Sequence, residues 1–279
     1  MSAAGTLPDP GIEAMRAIMQ RPERTMIAVD FDGTLAPIVD DPEHAYANPR
    51  AVAALGRLGG LGLTIAVITG RPAQTAVRLG RFGSVPGLRN MIVLGQYGVE
   101  RWDAATGEFS IPPEPEQIDV VAAEIEELLA DLELSDARLE HKGRAIGVHT
   151  RELAQPRAAF EALLPRLHEL AARHSWAVEP GKNVIEIRAP GIDKGVALRA
   201  LVEETGTRQV IFAGDDLGDL PAFRMVQQLR SDGFSGLLVC SASHEEDALT
   251  ELSDLIVSGP EGVADWLGRL ADSLASRRP

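Results

Sequence analysis

Asp30 and Asp32 stand one residue apart at the end of the apolar run Met26-Ile-Ala-Val, and Gly33-Thr34-Leu35 follows them. Strand side chains alternate faces, so carboxylates at i and i+2 are expected to point the same way. Two like charges that close repel, and burying them is costly. A divalent cation offsets that cost. Gly33 permits a sharp turn, and Thr34 offers a hydroxyl and a backbone N–H to an anion. Asp and Gly also serve ordinary turns, so this segment alone decides little.

Three more segments follow it in order. Thr69-Gly70-Arg71 closes the apolar run 63–68, where the Thr69 hydroxyl can hold a phosphate oxygen. Asp193-Lys194-Gly195 precedes a helical stretch. A lysine there can neutralise a phosphoryl group and a nucleophile together. The run Val210-Ile-Phe-Ala213 ends at Gly214-Asp215-Asp216-Leu217-Gly218-Asp219. Its three carboxylates form a hard-cation site suited to Mg2+. Each segment has an ordinary alternative, as a turn, a solvated lysine or a helix cap. Together they sit at strand ends and helix starts on one edge of a parallel sheet, where open α/β sheets bind ligands.

The elements that must position them follow from apolar spacing. Strands are expected over 26–31, 63–68, 91–94, 209–213, 237–240 and 255–257, and helices over 11–20, 50–58, 72–79, 195–204 and 262–274. Such alternation implies a parallel sheet with right-handed crossovers. The pattern changes at Ile111-Pro-Pro-Glu-Pro115. Ile118, Val121, Ile125, Leu128 and Leu132 recur at helical spacing, then strands are expected over 138–141 and 145–149. A second helix (Phe160, Leu163, Leu167, Leu170) and strands over 177–179 and 184–188 repeat the unit. The fold class is therefore α/β, with a parallel-sheet core over 1–112 and 190–279 split around an α+β cap of αββαββ type over 113–189. Pro112, Pro113, Pro115, Pro190 and Gly191 at the two crossings suit a hinge.

With 279 residues the chain can bury roughly 75% of its unfolded surface, enough for a real core. The net charge of −14 disfavours nucleic acid as a partner. An anionic substrate would need local cations. One cysteine, Cys240, excludes an intrachain disulfide. The N-terminal residues lack a signal-peptide apolar region, and no stretch approaches the roughly 20 apolar residues of a spanning helix. A cytoplasmic protein with no membrane partner is expected.

The four segments resemble the haloacid dehalogenase superfamily of aspartate-nucleophile phosphotransferases. The resemblance implies a Rossmann-like core in which Asp30 attacks phosphorus and forms an aspartyl-phosphate. It implies that Asp32 protonates the leaving alkoxide and then deprotonates water, with Thr69 and Lys194 as further catalytic residues. It implies Mg2+ held by Asp30, the Asp32 backbone carbonyl and Asp215, with Asp216 and Asp219 completing or orienting the shell. Gly33, Thr34, Gly70 and Arg71 fall to substrate binding.

The cap narrows the resemblance. Leu139-Glu140-His141-Lys142, His149-Thr150-Arg151 and Glu179-Pro-Gly-Lys182-Asn-Val-Ile-Glu186-Ile-Arg188 are similar to words of the trehalose-6-phosphate phosphatases. Alternation places Glu140 and Lys142 on one strand face, and His149 and Arg151 likewise on theirs. Charged groups can read sugar hydroxyls. The implied substrate-binding set is Glu140, Lys142, His149, Arg151, Lys182 and Glu186. The implied activity is hydrolysis of trehalose 6-phosphate, a small sugar phosphate, as the last step of trehalose biosynthesis, with functional coupling to a trehalose-6-phosphate synthase. A different sugar phosphate (sucrose phosphate or a glycosyl-phosphoglycerate) or a catalytically silent sugar-phosphate-binding module are the alternatives. Two segments depart from the family pattern. Tyr97 stands in Gly95-Gln-Tyr97-Gly98-Val-Glu100 where many members have His, and Gly218 and Leu220 stand where they have Thr and Glu.

Overall fold

The computed structural model describes residues 9–181, 183–191, 193–242 and 247–277. In chain order the first part runs α1 (Asp9–Gln20), β1 (Thr25–Val29), α2 (Pro49–Gly60), β2 (Thr64–Ile68), α3 (Ala73–Gly80), β3 (Ile92–Gly95), β4 (Glu100–Asp103) and β5 (Phe109–Ser110). The middle holds α4 (Ile118–Asp131), β6 (Arg138–His141), β7 (Ala145–His149), α5 (Pro156–His174), β8 (Ala177–Gly181) and β9 (Val184–Arg188). The chain ends with α6 (Lys194–Thr205), β10 (Gln209–Gly214), α7 (Leu220–Ser231), β11 (Ser235–Ala242), α8 (Asp247–Leu252), β12 (Leu255–Ser258) and α9 (Gly259–Ala275). Two compact units result, Met1–Ile111 with Ile192–Pro279, and Pro112–Gly191.

The first unit is built on an eight-stranded sheet ordered β12-β11-β10-β1-β2-β3-β4-β5. Its central strand reads Met26-Ile-Ala-Val29 without a polar interruption, because both of its faces are covered. Ile27 and Val29 join a core cluster with residues of α1, α2 and α9. Met26 and Ala28 join another with residues of α6 and α7 on the opposite face. Parallel register sets Val29 beside Ala213 on β10 and Val67 on β2. From β1 the chain winds outward to β2 and β3 one way, and β10 to β12 lie the other way. The ends of β1 and β10 are thus the place where the winding reverses, the usual ligand site of such sheets.

Three expectations need correction. The sheet is not parallel throughout, because β4 pairs antiparallel with β3 and β5 antiparallel with β4. Those strands are short, β4 mostly charged and β5 only Phe109–Ser110, so their sequence lacks an apolar run. Helix α7 is assigned nothing by the sequence reading, although Ala222, Phe223, Val226 and Leu229 bury one helical face. Strand β1 stops at Val29, short of both aspartates. After Phe31 the chain folds into a tight turn, with the amides of Leu35 and Ala36 both donating to the Phe31 carbonyl at 2.8 Å.

The second unit is an antiparallel sheet ordered β6-β7-β9-β8. Ile146, Val148, Ile185 and Ile187 point into one core with Val121, Ile125 and Leu128 of α4 and Leu163, Leu167 and Leu170 of α5. Alternation turns Gly147, His149 and Glu186 to the other face. Among the described residues no helix is long and apolar enough to cross a membrane.

The last strand pair of the first unit hangs on one carboxylate. Asp254 accepts from the Leu238 amide at 2.7 Å and pairs with Arg230, whose guanidinium also donates to the Gly236 carbonyl. Asp254→Ala leaves the Leu238 amide without its acceptor and Arg230 with the Gly236 carbonyl alone, and is expected to cost about 3 kcal/mol by urea denaturation. Asp254→Asn keeps an acceptor and should cost less.

Candidate active site

Adjacent parallel strands deliver the two central carboxylates. The Asp30 amide continues the ladder by donating to the Ala213 carbonyl at 2.9 Å, and Asp215 follows β10 directly. Lys194 opens α6, whose first turn the Asp193 side chain caps by accepting from the Val196 amide at 2.8 Å. The Lys194 ammonium donates to Asp30 Oδ1 at 2.6 Å and to Asp219 Oδ1 at 2.7 Å. All three groups are buried. The other Asp219 oxygen accepts from the Asp215 amide at 2.9 Å, which fixes the loop after β10. Asp30, Asp215 and Asp219 each present an oxygen within 4.8 Å of the others, an arrangement that could hold a metal ion.

Charge bookkeeping supports that reading. Burial pushes the Asp30 carboxyl well above its usual range; Lys194 opposes this, and Asp219, Asp216 and Asp32 add to it. Burial first, then the Asp30 and Asp219 charges, pushes Asp215 up to about 10. Burial also raises Asp219, to about 6, against the pull of Lys194. Burial alone would lower Lys194, but Asp219 and Asp30 outweigh it and hold the ammonium well above the ordinary lysine value. One ammonium among three buried carboxylates leaves an excess of negative charge. All-oxygen donors in negative excess suit a hard divalent cation.

Space around the cluster is used to the limit. Gly33 has φ +72°, and a Cβ there would fall 1.9 Å from Asp215 Oδ2. Its carbonyl accepts from the Ser241 hydroxyl at 2.7 Å. The Gly33 amide donates to the Ala36 carbonyl, and the Thr34 hydroxyl donates to Asp215 at 3.2 Å. The hydroxyl expected to meet an anion is thus spent on orienting a carboxylate. Asp216 is exposed, and its side chain caps the turn 217–219, so it stands outside the three-carboxylate group.

Asp32 parts company with Asp30. Its carboxylate takes two hydrogen bonds from Arg71, each 2.6 Å, where alternation along a strand would have set the two aspartates side by side. Arg71, expected to bind substrate, is engaged with protein. Thr69 lies just beyond β2, buried, its amide on the Leu94 carbonyl and its hydroxyl oxygen accepting from the Arg71 amide at 3.1 Å. That hydroxyl keeps its own hydrogen to donate. Gly70 lies beneath Tyr97: a Cβ there would be 2.9 Å from the ring and its hydroxyl. Gln96 and Tyr97 both adopt positive φ, 48° and 61°. Glu100, which the sequence reading quotes without a role, accepts from the Ala73 amide at 2.6 Å and so fixes the start of α3 behind Thr69. Ser241 carries no motif and could be found only from the fold.

On the open face of the second unit, register aligns Glu140, Gly147, Glu186 and Glu179 across four strands. His149 Nε2 lies 2.7 Å from Glu140, and Lys142 donates to Glu186 at 2.6 Å. The hydrogen bond with His149, helped by the Lys142 charge, lowers the Glu140 carboxyl to about 2 against the opposing effect of burial. Arg151 is exposed just after β7. Lys182 lies outside the described residues.

The profile of the Trehalose-phosphatase family matches residues 28–255. Trehalose-phosphate phosphatase of Mycobacterium marinum is 29% identical over 262 residues, covering 91% of this chain and 63% of its own length. That of Mycobacterium avium is 31% identical, with 88% and 61% covered. The chain thus spans less than two thirds of the length of these mycobacterial relatives. The C-terminal domain of trehalose-6-phosphate phosphatase from C. albicans superposes with TM-score 0.77 at 20% identity, covering 97% of this chain and 99% of that one. A haloacid dehalogenase-like hydrolase from Bacteroides thetaiotaomicron gives TM-score 0.62 at 18% identity, covering 88% and 99%. The fold is therefore the Rossmann-like haloacid-dehalogenase core with a cap.

Two pH profiles follow from the electrostatics. Burial holds the folded Asp215 carboxyl up at about 10 against 3.8 for an ordinary aspartate, so its contribution is favourable below 3.8 and lost as pH rises toward 10. Asp215→Asn should raise the Tm of cation-free protein at about pH 8, with little change at about pH 4, and should blunt the Tm rise that a divalent cation gives the wild type. Glu140 shifts the other way: its stabilisation is complete above 4.5 and lost as pH falls to about 2. Denaturant titration should show Glu140→Gln less stable than wild type at about pH 6, with the difference closing as pH falls toward 2.

Proposed function

The chain belongs to the trehalose-phosphatase family, and from that premise we propose that it hydrolyses trehalose 6-phosphate to trehalose and phosphate with Mg2+ as cofactor. The observation that carries the chemistry is the buried Asp30–Lys194–Asp219 bridge beside Asp215. Asp30 Oδ1 is engaged by Lys194, which leaves Oδ2 as the oxygen that attacks phosphorus. Lys194 keeps its positive charge next to the nucleophile and favours the ionised form that attack requires. Asp219 holds the lysine in place. The Thr69 hydroxyl donates to a phosphoryl oxygen. Asp32 gives a proton to the leaving sugar oxygen, then takes one from the water that opens the Asp30 aspartyl-phosphate.

The carboxylates of Asp30 and Asp215 and the backbone carbonyl of Asp32 would hold the Mg2+. When bound, the ion supplies charge neutralisation for the transferring phosphoryl group. The all-oxygen, negative donor set supports Mg2+ over softer metals. Thr34 orients Asp215 for this role through its hydroxyl.

Sugar recognition falls to the charged face of the second unit. Glu140 with His149 and Lys142 with Glu186 put acceptors and donors side by side, which suits hydroxyls that do both. Lys182 and Arg151 complete the set by resemblance. The same reading places the protein in the cytoplasm, next in sequence to a synthase that makes the sugar phosphate.

Phosphate release from a panel of trehalose 6-phosphate, sucrose 6-phosphate and glucosyl-phosphoglycerate tests the proposal. Preference for trehalose 6-phosphate, abolished by chelator, is expected. Asp30→Asn should lower kcat by roughly 10^3-fold or more while circular dichroism stays unchanged. Full activity in that variant contradicts the mechanism, and preference for another phosphosugar contradicts the substrate.

A further inference from the structure

Arg71 sits on the one carboxylate that the proposed chemistry needs as both acid and base. Its Nε donates to Asp32 Oδ2 and its Nη2 to Asp32 Oδ1, each at 2.6 Å. Its Nη1 donates to the Pro42 carbonyl at 2.9 Å. The guanidinium carbon lies 5.6 Å from the centroid of the Phe31 ring, over its face. The Arg71 side chain is 13% exposed and that of Asp32 38%. Every nitrogen of the guanidinium therefore has a protein acceptor, and both oxygens of the carboxylate rest on the same partner.

We propose that Arg71 is a positioning residue for Asp32: a two-point clamp that holds this carboxylate in one rotamer beside the aspartate cluster. It is not a ligand for the substrate phosphate. The proposal rests on the phosphatase reading above, in which Asp32 moves the protons. An aspartate more than a third exposed would otherwise spread over several rotamers, most of them useless for a proton transfer that demands hydrogen-bond reach. A planar fork on a carboxylate removes that freedom, since the two parallel bonds fix the carboxylate plane as well as its distance. The fork is itself held, by Pro42 on one side and the Phe31 ring beneath.

The competing role, phosphate binding, would require Arg71 to release what it holds. Offering its fork to a phosphoryl group means giving up both bonds to Asp32, and a general acid set loose at that moment is of no use. Lys194 and Thr69 already stand where the phosphoryl group would be met. The backbone reinforces the arrangement: the Arg71 amide donates to the Thr69 hydroxyl oxygen at 3.1 Å, so one residue orients two others in the site. Lysine could not substitute, because its single ammonium cannot set the plane of a carboxylate.

A double-mutant cycle separates the two roles. Steady-state kinetics would be measured with saturating Mg2+ for the wild type, Arg71→Ala, Arg71→Lys, Asp32→Asn and the Arg71→Ala/Asp32→Asn pair. Trehalose 6-phosphate and p-nitrophenyl phosphate would both be used, so that an error in the sugar assignment does not silence the test. Asp32→Asn is expected to lower kcat roughly 10^2- to 10^4-fold. Arg71→Ala should lower kcat roughly 10-fold or more with KM changed less than about threefold, and Arg71→Lys should recover only part of it. In the Asp32→Asn background, Arg71→Ala should cost less than about threefold more, because the clamp then has nothing to hold. Losses that multiply in the pair, or a rise in KM at constant kcat in Arg71→Ala, overturn the clamp and make Arg71 a substrate ligand. Full activity of Asp32→Asn instead overturns the proton-transfer role on which the clamp depends. Should Arg71→Ala fail to fold by circular dichroism, Arg71→Lys and its pair with Asp32→Asn give the same comparison.

Discussion

The interaction on which the rest of the first unit depends is the ammonium of Lys194 buried between Asp30 and Asp219. In a medium of low dielectric, none of these three groups could be ionised there alone. Their mutual contacts make ionisation tolerable, and the surrounding backbone completes the set through the Asp215 amide on Asp219. The sheet order serves the same end. Strand β1 lies between β10 and β2, so Asp30, Asp215 and the Thr69 hydroxyl emerge together at three neighbouring strand ends. Burial first, and then the charges of Asp30 and Asp219, still raise the Asp215 carboxyl. Proteins keep such a stability cost at sites that bind a cation or do chemistry.

The two units manage charge differently. In the first, carboxylates outnumber the one buried lysine, which leaves a demand for a cation. In the second, the strand face pairs Glu140 with His149 and Lys142 with Glu186. Such pairing leaves no demand for a counter-ion but keeps many hydrogen-bonding groups at fixed positions, a surface suited to a neutral polyol more than to a phosphate. The buried carboxylate cluster and the paired charged face thus lie on different sheets, built from different patterns: a continuous apolar run buried on both faces, and an alternating run buried on one.

The fold was legible where a simple period was present. The 26–29 and 210–213 runs read as apolar strands, and 145–149 and 184–188 as strands of a small antiparallel sheet with helices on one face. What escaped was structure with no period to read: the four-residue β4 and two-residue β5, whose residues are mostly charged or polar. Helix α7 had the period, but its first residues adjoin the aspartate motif and no element was assigned there. Asp30, Asp215 and Asp219, read from two separate motifs, come together in the structure, while the partners of the motif residues were not legible. Nothing in the order Asp30-Phe-Asp32 says that a turn at Phe31 sends Asp32 to an arginine from the next crossover, or that the Thr34 hydroxyl goes to Asp215. Such pairings are decided by tertiary contacts across 39 or 181 residues of sequence. Glu100 shows the same limit: its motif was visible, but its role at the Ala73 amide appears only when β4 folds back along β3.

The central claim is that Asp30, poised by Lys194, becomes covalently phosphorylated during turnover. Acid quenching of the protein during turnover of trehalose 6-phosphate with Mg2+, followed by borohydride reduction and peptide mass spectrometry, tests it directly. Reduction of an aspartyl-phosphate yields homoserine, and the account predicts that product at Asp30 alone, dependent on substrate. Steady turnover with Asp30 unmodified, or homoserine at Asp32 or Asp215, would contradict it.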